Sequence, residues 1–337
     1  MSNPILVEAR RGALVESRHR GVVAVMDAAG KTVLALGDVE QPVYPRSAVK
    51  ALQALVLVES GAAERFGLGD EELAVACASH GGEPGHVATV VRMLARAGLT
   101  PEALECGAHW PIHQPSAQAL AASGATATAV HNNCSGKHAG FLCAACALGV
   151  PHGGYIAPTH AVQRAVKATL ETLTGLRIDD DRRATDGCSV PTWALPLSAL
   201  ALAFARFGSG HGLGTECARA AARLRAACAA KPWHVAGTGR FCTEIMQRFG
   251  ARAFVKVGAE GVFCGALPEQ GLGVAIKCDD GAGRASELVM ATMIARFLPT
   301  DDAERAFLDR FVRPTLRNWN DIAVGELRPA QVLETLK

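Results

Sequence analysis

Residues 251–267 read ARAFVKVGAEGVFCGAL, and this stretch indicates the fold class because it returns the chain to strand-forming sequence after a long helical block. Together with QGLGVAIKCDD (270–280), it has the β-branched and aromatic runs, punctuated by glycine, that are typical of a β-hairpin. Residues 5–37 also predict strands, with a turn at 28–30. Strands at both ends of the chain favour an α+β fold in which one mixed sheet is built from both termini.

The chain between these strand regions, residues 46–250, is predicted to be mainly helical, because its apolar residues recur at helical spacing and alanine is abundant. A helix is expected after Pro45, with Ser47 as its N-cap and Gly61 near its end. No repeat of about 20–50 residues and no low-complexity linker is visible. Residues 1–337 are therefore predicted to form a single domain.

The composition excludes several classes of protein. The 337 residues are 49% hydrophobic and 20% charged, which is enough apolar material for a sizeable core. The formal net charge is +2 and the basic residues are scattered, so neither a nucleic acid nor a membrane is expected as a partner. The N-terminal segment lacks the apolar core of a secretory signal, so a cytoplasmic protein with eleven free cysteines is expected.

The first candidate for chemistry is Ser47-Ala-Val-Lys50, a Ser-x-x-Lys motif. On a helix this spacing puts both side chains on one face, where a neutral lysine can take the hydroxyl proton of the serine and so create a nucleophile. Class A β-lactamases and penicillin-binding proteins use this arrangement. From the motif alone, a helix cap followed by an exposed lysine remains the alternative.

The second candidate is HNNCSGKHAG (131–140), which departs from a phosphate-binding loop at two required positions. Lysine is scarce in this chain, at 8 of 34 basic residues, so Lys137 indicates a role that arginine cannot fill. Cys134 with Lys137 or His138, joined by Cys188, has the donors of a tetrahedral zinc site. Buried thiols without a metal are the alternative.

Two further segments add candidates. Ser79 and His80 precede a glycine pair and a helix start, a turn that can aim a hydroxyl and backbone N–H groups into a cleft. Lys256-Val-Gly on a returning strand loosely matches the Lys-Thr-Gly element of Ser-x-x-Lys acyl-transfer enzymes. The alternatives are a loop with an ordinary N-cap and an edge-strand lysine.

These segments, in order along nearly the whole chain to about Pro329, resemble the rhizobial-type L-asparaginases, also called class 3 or asparaginase II-like. No single motif is specific, but the ordered set is. The stretches that carry the resemblance are RSAVKALQ (46–53), ASHGGEPGH (78–86), HNNCSGKHAGFL (131–142), TDGCSVPT (185–192), VAGTGRFCTEIM (235–246) and VKVGAEGVFC (255–264).

The resemblance implies a serine β-lactamase-like fold with α/β/α layers, a homodimer, and hydrolysis of L-asparagine to L-aspartate and ammonia. It implies two Ser-Lys tandems, matched by Ser47 with Lys50 and by Ser79 with Lys256. It also implies zinc bound by two cysteines and a lysine. The matching ligands are Cys134, Lys137 and Cys188, and the other matching site positions are Arg46, His138, Asp186 and Cys242, with His80 beside them as a candidate substrate contact.

From these positions we expect Ser47 to attack the side-chain amide while Lys50 takes its proton, with Ser79 and Lys256 relaying protons. We expect zinc to shape the site and tune substrate affinity without acting as the main Lewis acid. The rival enzymes are another Ser-x-x-Lys amidohydrolase and a β-lactam or peptide acyl hydrolase. A rival of a different class is a zinc-stabilised binding protein without catalysis.

Overall fold

The computed structural model describes residues 2–336. Its main sheet combines strands from both ends of the chain, as the sequence predicts. The strands are β1 (Ile5–Arg11), β2 (Leu14–Asp27), β3 (Thr32–Leu36), β4 (Pro42–Val43), β5 (Arg183–Thr185), β6 (Pro191–Trp193), β7 (Leu195–Pro196), β8 (Phe254–Val257), β9 (Val262–Leu267), β10 (Leu272–Cys278), β11 (Thr315–Arg317) and β12 (Ala323–Pro329).

The main sheet has the order β11-β12-β1-β2-β10-β9-β8, with β3 also paired to β2. N-terminal and C-terminal strands meet where β2 pairs with β10, with Val25 opposite Val274. Every strand pair within residues 2–336 is antiparallel, so the predicted mixed sheet is wrong. The reason is the connections: β8, β9 and β10 follow one another through short turns, which join only antiparallel neighbours.

Helices fill most of residues 46–250, although the short strands β4–β7 pair outside the main sheet, three of them within this block. The helices are α1 (Lys50–Gln53), α2 (Leu55–Glu59), α3 (Ala62–Arg65), α4 (Asp70–Ala76), α5 (Pro84–Arg96), α6 (Gln114–Ala122), α7 (Ser135–Leu148), α8 (Ala161–Thr174), α9 (Leu197–Ser209), α10 (Thr215–Ala230), α11 (Pro232–Ala236), α12 (Phe241–Phe249), α13 (Gly283–Phe297), α14 (Asp302–Val312) and α15 (Gln331–Glu334).

The helix expected after Pro45 is not continuous. It consists of a 3₁₀ turn, Arg46–Val49, followed by the short helices α1 and α2. Pro45 is the N-cap of the 3₁₀ turn and Ser47 lies inside it, so the prediction that Ser47 caps the helix is wrong. The Ser47 hydroxyl is thus free of a capping role and close to the start of α1.

Helices cover both faces of the sheet. A Cβ atom on Gly273 of β10 would lie 2.0 Å from the carbonyl oxygen of Ala201 in α9, so that helix packs directly on this face. Gly265 of β9 faces the opposite way, since a Cβ atom there would lie 3.3 Å from the sulfur of Met290 in α13. The layers are therefore α/β/α.

This architecture gathers the candidate residues from separate elements. Lys256 lies on β8, the edge strand of the sheet, and Ser79 lies in the loop between α4 and α5. Lys137 lies on α7, a helix that is buried over most of its length. Within residues 2–336, no helix is both long and apolar enough to cross a membrane.

Candidate active site

The turn that carries Ser47 is held under backbone strain. Arg46 has φ 51°, in the left-handed region that non-glycine residues seldom occupy. The β8–β9 turn packs against it, because a Cβ atom on Gly258 would lie 2.9 Å from the carbonyl oxygen of Pro45. Gly258 of the Lys-Val-Gly sequence therefore permits the close approach of the edge strand to this turn.

Lys50 begins α1 and points into the interior, where it is 0% exposed. Its Nζ donates to the carbonyl oxygen of Ala78 (2.7 Å), to Oγ of Ser79 (3.0 Å) and to the carbonyl oxygen of Asn133 (3.4 Å). An ammonium group has three N–H donors and no acceptor, so this set of three acceptors suits a protonated Lys50.

Lys256 has a different environment, although it is also buried, at 1% exposed. Its Nζ lies 2.8 Å from Oγ of Ser79 and 2.9 Å from the carbonyl oxygen of Val257. Burial, reinforced by the positive charge of Lys50, lowers the pKa of Lys256 to about 7. A neutral amine at this position has a lone pair that can accept the hydroxyl proton of Ser79.

Ser79 is thus the hydroxyl shared by both amines. It can accept a hydrogen bond from Lys50 and donate one to Lys256, and it is 7% exposed. Ser47 is half-buried, and its hydroxyl makes no side-chain hydrogen bond to any residue between 2 and 336. The structure therefore brings three of the four predicted catalytic residues into contact and leaves Ser47 beside them on the strained turn.

Arg46 and Asp186 form an ion pair, with Nε 2.6 Å from Oδ1. Asp186 is held in a tight turn in which its own N–H bonds the carbonyl oxygen of Val190, and Ser189 has φ 74°. Burial alone would raise the pKa of Asp186, but the charge of Lys137 and the hydrogen bond from Arg46 lower it on balance. Strained backbone at both ends of this pair is characteristic of functional sites.

The predicted metal ligands also come together. Lys137 Nζ lies 3.0 Å from Sγ of Cys188, and Cys134 Sγ lies 2.9 Å from Oδ1 of Asn133. A hydrogen bond between the two thiols lowers the pKa of Cys134 well below that of a free thiol and raises the pKa of Cys188. All three donor side chains are buried.

These donors fit zinc by their chemistry, since thiolates and a nitrogen donor suit this metal. Residues 2–336 contain no group of three or more His, Cys, Asp and Glu side chains that could hold a metal. A metal here therefore requires the amine of Lys137 as its third protein ligand. Burial would lower the pKa of Lys137, but the two sulfurs raise it on balance, so a bound metal would have to displace its proton.

Two further predicted residues, His80 and His138, are buried side chains that bond residues other than the serines and lysines above. His80 is fully buried, with Nε2 2.9 Å from Oγ of Ser135, while its Nδ1 accepts from the N–H of Gly82. His138 Nδ1 lies 2.7 Å from the hydroxyl of Tyr155, and its buried Nε2 has no partner within residues 2–336. Burial lowers the pKa of both imidazoles well below the ordinary value, so both rings are neutral.

Cys242 lies on α12 and is buried. Burial raises the pKa of its thiol, and the charge of Lys256 opposes that rise. The thiol is therefore close enough to Lys256 to feel its charge, and it is protonated at neutral pH.

The family model described as L-asparaginase II matches residues 7–329. The chain belongs to the L-asparaginase II family. No curated protein matches the sequence.

Several solved structures resemble this asparaginase II family member weakly. A β-lactamase from Mycobacterium bovis is 14% identical with a TM-score of 0.39, and the alignment covers 83% of this chain and 95% of the β-lactamase. A protein named Mglu, in high salt, is 17% identical with a TM-score of 0.38, over 89% of this chain and 67% of the other. At these values the similarities carry no argument about activity, and the serine β-lactamase-like fold stays a prediction.

A cavity of about 530 Å³ opens beside the ion pair of this family member. Its walls include Arg46, Tyr44, Glu260 and Lys277, but not Ser79 or the two lysines that bond it. The volume is within the usual range for small-molecule sites. Of the predicted site residues, only Arg46 lines this cavity.

Sequence reasoning missed the groups that have no motif. The carbonyl oxygens of Ala78 and Asn133 fix Lys50, but backbone acceptors leave no signal in the sequence. Tyr155 holds both His138 and the N–H of Glu105, and its only sequence signal is rarity, since the chain has two tyrosines. Glu83 lies within ASHGGEPGH (78–86), but no motif marks it as a site residue.

Proposed function

We propose that this family member is an L-asparaginase of the rhizobial type, which hydrolyses L-asparagine to L-aspartate and ammonia through a serine–lysine nucleophile. The observation that carries the proposal is the Ser79 hydroxyl, held between the amine of Lys50 at 3.0 Å and that of Lys256 at 2.8 Å. Membership of the L-asparaginase II family supports an amide of this class as the substrate. The homodimer and the cytoplasmic location remain predictions.

The geometry favours Ser79 as the nucleophile, whereas the sequence favours Ser47. Ser79 contacts a base whose pKa is about 7 and also a second amine with the hydrogen-bonding pattern of an ammonium. Lys50 uses its N–H groups on other acceptors, so it has no lone pair to offer the Ser47 hydroxyl. We therefore take Ser79 as the nucleophile and assign Ser47 to substrate contact beside Arg46.

In the first half-reaction, Oγ of Ser79 attacks the side-chain amide carbon and its proton passes to Nζ of Lys256. The Lys50 ammonium stabilises the negative charge that develops on Oγ of Ser79 as this oxygen loses its proton and bonds the amide carbon. Lys256 then gives the proton to the amide nitrogen, the C–N bond breaks, and ammonia leaves. The product is a β-aspartyl ester on Ser79.

In the second half-reaction, water attacks the ester while Lys256 takes one of its protons. The ester C–O bond breaks, the proton returns to Oγ of Ser79, and aspartate is released. Lys256 thus acts as base and then acid in each half, which requires a pKa near the working pH.

Arg46 and Asp186 are suited to the amino-acid end of the substrate. Within residues 2–336, Arg46 uses only Nε on Asp186, so the terminal N–H groups are free to bind an α-carboxylate in the adjoining cavity. Asp186 has a second carboxylate oxygen that can accept from an α-ammonium group. Together they discriminate amino acids from simple amides.

Cys134, Lys137 and Cys188 would hold the zinc ion that the sequence predicts. Bound there, zinc would supply a fixed positive charge near Asp186, which touches Cys188 at 3.8 Å. The proposed steps above depend only on the serine and lysine side chains.

The test is ammonia release from L-asparagine and L-glutamine, with and without added zinc. Wild-type protein should release ammonia from L-asparagine, and Lys256→Met should not, because it removes the base but keeps the length of the side chain. Lys167→Met is the matched control, since it makes the same substitution at a lysine of α8 that pairs with Asp180 and bonds none of these side chains. A wild-type protein without activity on L-asparagine would refute the proposal.

A further inference from the structure

We propose that Glu83 is a positioning residue for Ser79. This inference rests on the proposed function, because it assigns Glu83 a role in keeping the Ser79 hydroxyl against Lys256. Glu83 touches neither lysine, so it does not take part in the chemistry itself. Its carboxylate acts through the end of α11 and the loop after it, a segment that holds the backbone of Ser79.

Glu83 is placed to cap a helix but bonds elsewhere. It is the N-cap residue of α5, and its side chain makes no capping hydrogen bond there. Instead, Oε1 accepts from the N–H of Thr238 at 2.9 Å, and Oε2 accepts from the hydroxyl of Thr238 at 2.7 Å. Hydrogen bonds to a carboxylate are among the strong ones, so this pair of bonds fixes the loop after α11 to the loop before α5.

The helix that leads into the fixed loop, α11, contacts the backbone of Ser79 near its C-terminal end. The N–H of Ser79 donates to the carbonyl oxygen of Val235 at 3.0 Å, and Val235 lies three residues before Thr238. The two loops are therefore joined at both ends, once through Ser79 and once through Glu83. If the Glu83 bonds are lost, the two segments keep only the Ser79–Val235 bond and the bond of His86 Nε2 to the carbonyl oxygen of Trp233 at 3.0 Å, so the backbone of Ser79 is held less firmly against Lys256.

The carboxylate of Glu83 packs closely against the backbone of Gly237. Gly237 has φ 113°, and a Cβ atom there would lie 2.5 Å from Oε1 of Glu83, so the carboxylate fits only against glycine. Trp233 donates its indole N–H to the Thr238 hydroxyl at 3.0 Å. The indole also stacks on His86, with ring centroids 3.9 Å apart, and this rigid contact limits how far the Thr238 loop can shift.

This role predicts a specific kinetic signature. The ion pair of Arg46 and Asp186 is built on other loops, so loss of the Glu83 bonds should leave substrate binding unchanged. A displacement of about 1 Å at the nucleophile can cost about 10²-fold in rate. Weakened positioning should therefore lower kcat while KM stays the same.

The experiment compares Glu83→Gln with Glu304→Gln, using kcat, KM, melting temperature and a crystal structure. Glu304, on α14, is the matched control because its carboxylate is also mostly buried and also accepts a hydrogen bond, from Arg252 at 2.7 Å. Glu83→Gln keeps an oxygen for the Thr238 N–H but replaces Oε2, the acceptor of the Thr238 hydroxyl, by an N–H₂ donor, so it should lose about tenfold to a hundredfold in kcat with unchanged KM. Its structure should show Ser79 beyond hydrogen-bonding distance of Lys256.

Thr238 provides a second route to the same result. Thr238→Val removes the hydroxyl but keeps the N–H donor, so it should lower kcat less than Glu83→Gln, and Thr238→Ser should restore the wild-type rate. The inference is overturned if Glu83→Gln and Glu304→Gln lose kcat only in proportion to stability, with Ser79 still bonded to Lys256. If wild-type protein has no activity on L-asparagine, the proposed function fails, and the position of Ser79 in the Glu83→Gln structure still decides the role of Glu83.

Discussion

Lys256 on β8 and Lys137 on α7 are both buried, yet their surroundings drive them to opposite charge states. Lys256 faces a hydroxyl, a carbonyl oxygen and the ammonium of Lys50, and its pKa falls to about 7. Lys137 faces the sulfurs of Cys134 and Cys188, and its pKa rises. Neighbouring charge, more than burial, therefore separates a lysine that can serve as a base from one that serves as a cation or a metal ligand.

The largest effect should come from removing the hydroxyl next to Lys256. Ser79→Ala should lower kcat by about 10³-fold or more, because the covalent route is lost. Ser47→Ala is the matched control and should keep a much larger share of kcat, with its main effect on KM. Steady-state ammonia release measures both, and a variant order in which Ser47→Ala is the more damaging would contradict the assignment.

The next largest effect tests the charge state of Lys256. Lys256→Arg keeps a positive charge but cannot lose it, so kcat should fall by about 10²–10⁴-fold. In the wild type, kcat/KM should decline as the pH falls through about 7, because protonation of Lys256 removes the base. Lys167→Arg, at an exposed ion pair with Asp180, is the control. A flat profile between pH 6 and 8 would show that Lys256 is not the base.

The sequence predicted the candidate residues better than their contacts. Ser79, Lys50 and Lys256 were all identified from short motifs, but Lys50 was paired with Ser47 because the two are one helical turn apart. The bond from Lys50 to Ser79 spans 29 residues, and periodicity carries no information about such a contact. The pairing of Ser79 with Lys256, 177 residues apart, follows only from the family resemblance, and the two side chains lie 2.8 Å apart. The strained Arg46 turn also breaks the helix on which the local pairing depended.

The sheet shows the same division between local pattern and tertiary contact. Strands near residues 5–37 and 251–280 follow from β-branched runs, and the structure contains them. The antiparallel order of β8, β9 and β10 follows from the short turns between them, but the pattern does not specify that β2 pairs with β10 across the chain. The bonds of Glu83 to Thr238 were missed for the same reason, because they join loops 155 residues apart.

A smaller effect is expected at the ion pair of Arg46 with Asp186. Arg46→Lys should raise KM for L-asparagine about tenfold with little change in kcat, because lysine cannot bond Asp186 and an α-carboxylate with the fork geometry of arginine. Arg328→Lys, at the ion pair with Glu8, is the control. An unchanged KM in Arg46→Lys would remove Arg46 from substrate binding.

The smallest effect concerns the thermal stability that zinc adds by binding Cys134, Lys137 and Cys188. Zinc should raise the melting temperature of the wild type by about 1–2 °C for each kcal/mol of binding free energy, and Cys188→Ser should abolish the shift. Cys143→Ser, at a buried thiol outside the cluster, should retain it. Differential scanning calorimetry with metal analysis measures both quantities. Equal shifts in the two variants would show that zinc does not bind Cys188.

The most direct test of the account is to identify the serine that becomes acylated. Protein mixed with L-asparagine and quenched in acid should yield a peptide with an added β-aspartyl group, which mass spectrometry can place. The β-aspartyl group should lie on Ser79, and Lys256→Arg should reduce its accumulation. An adduct on Ser47, with Ser79 unmodified, would contradict the central claim.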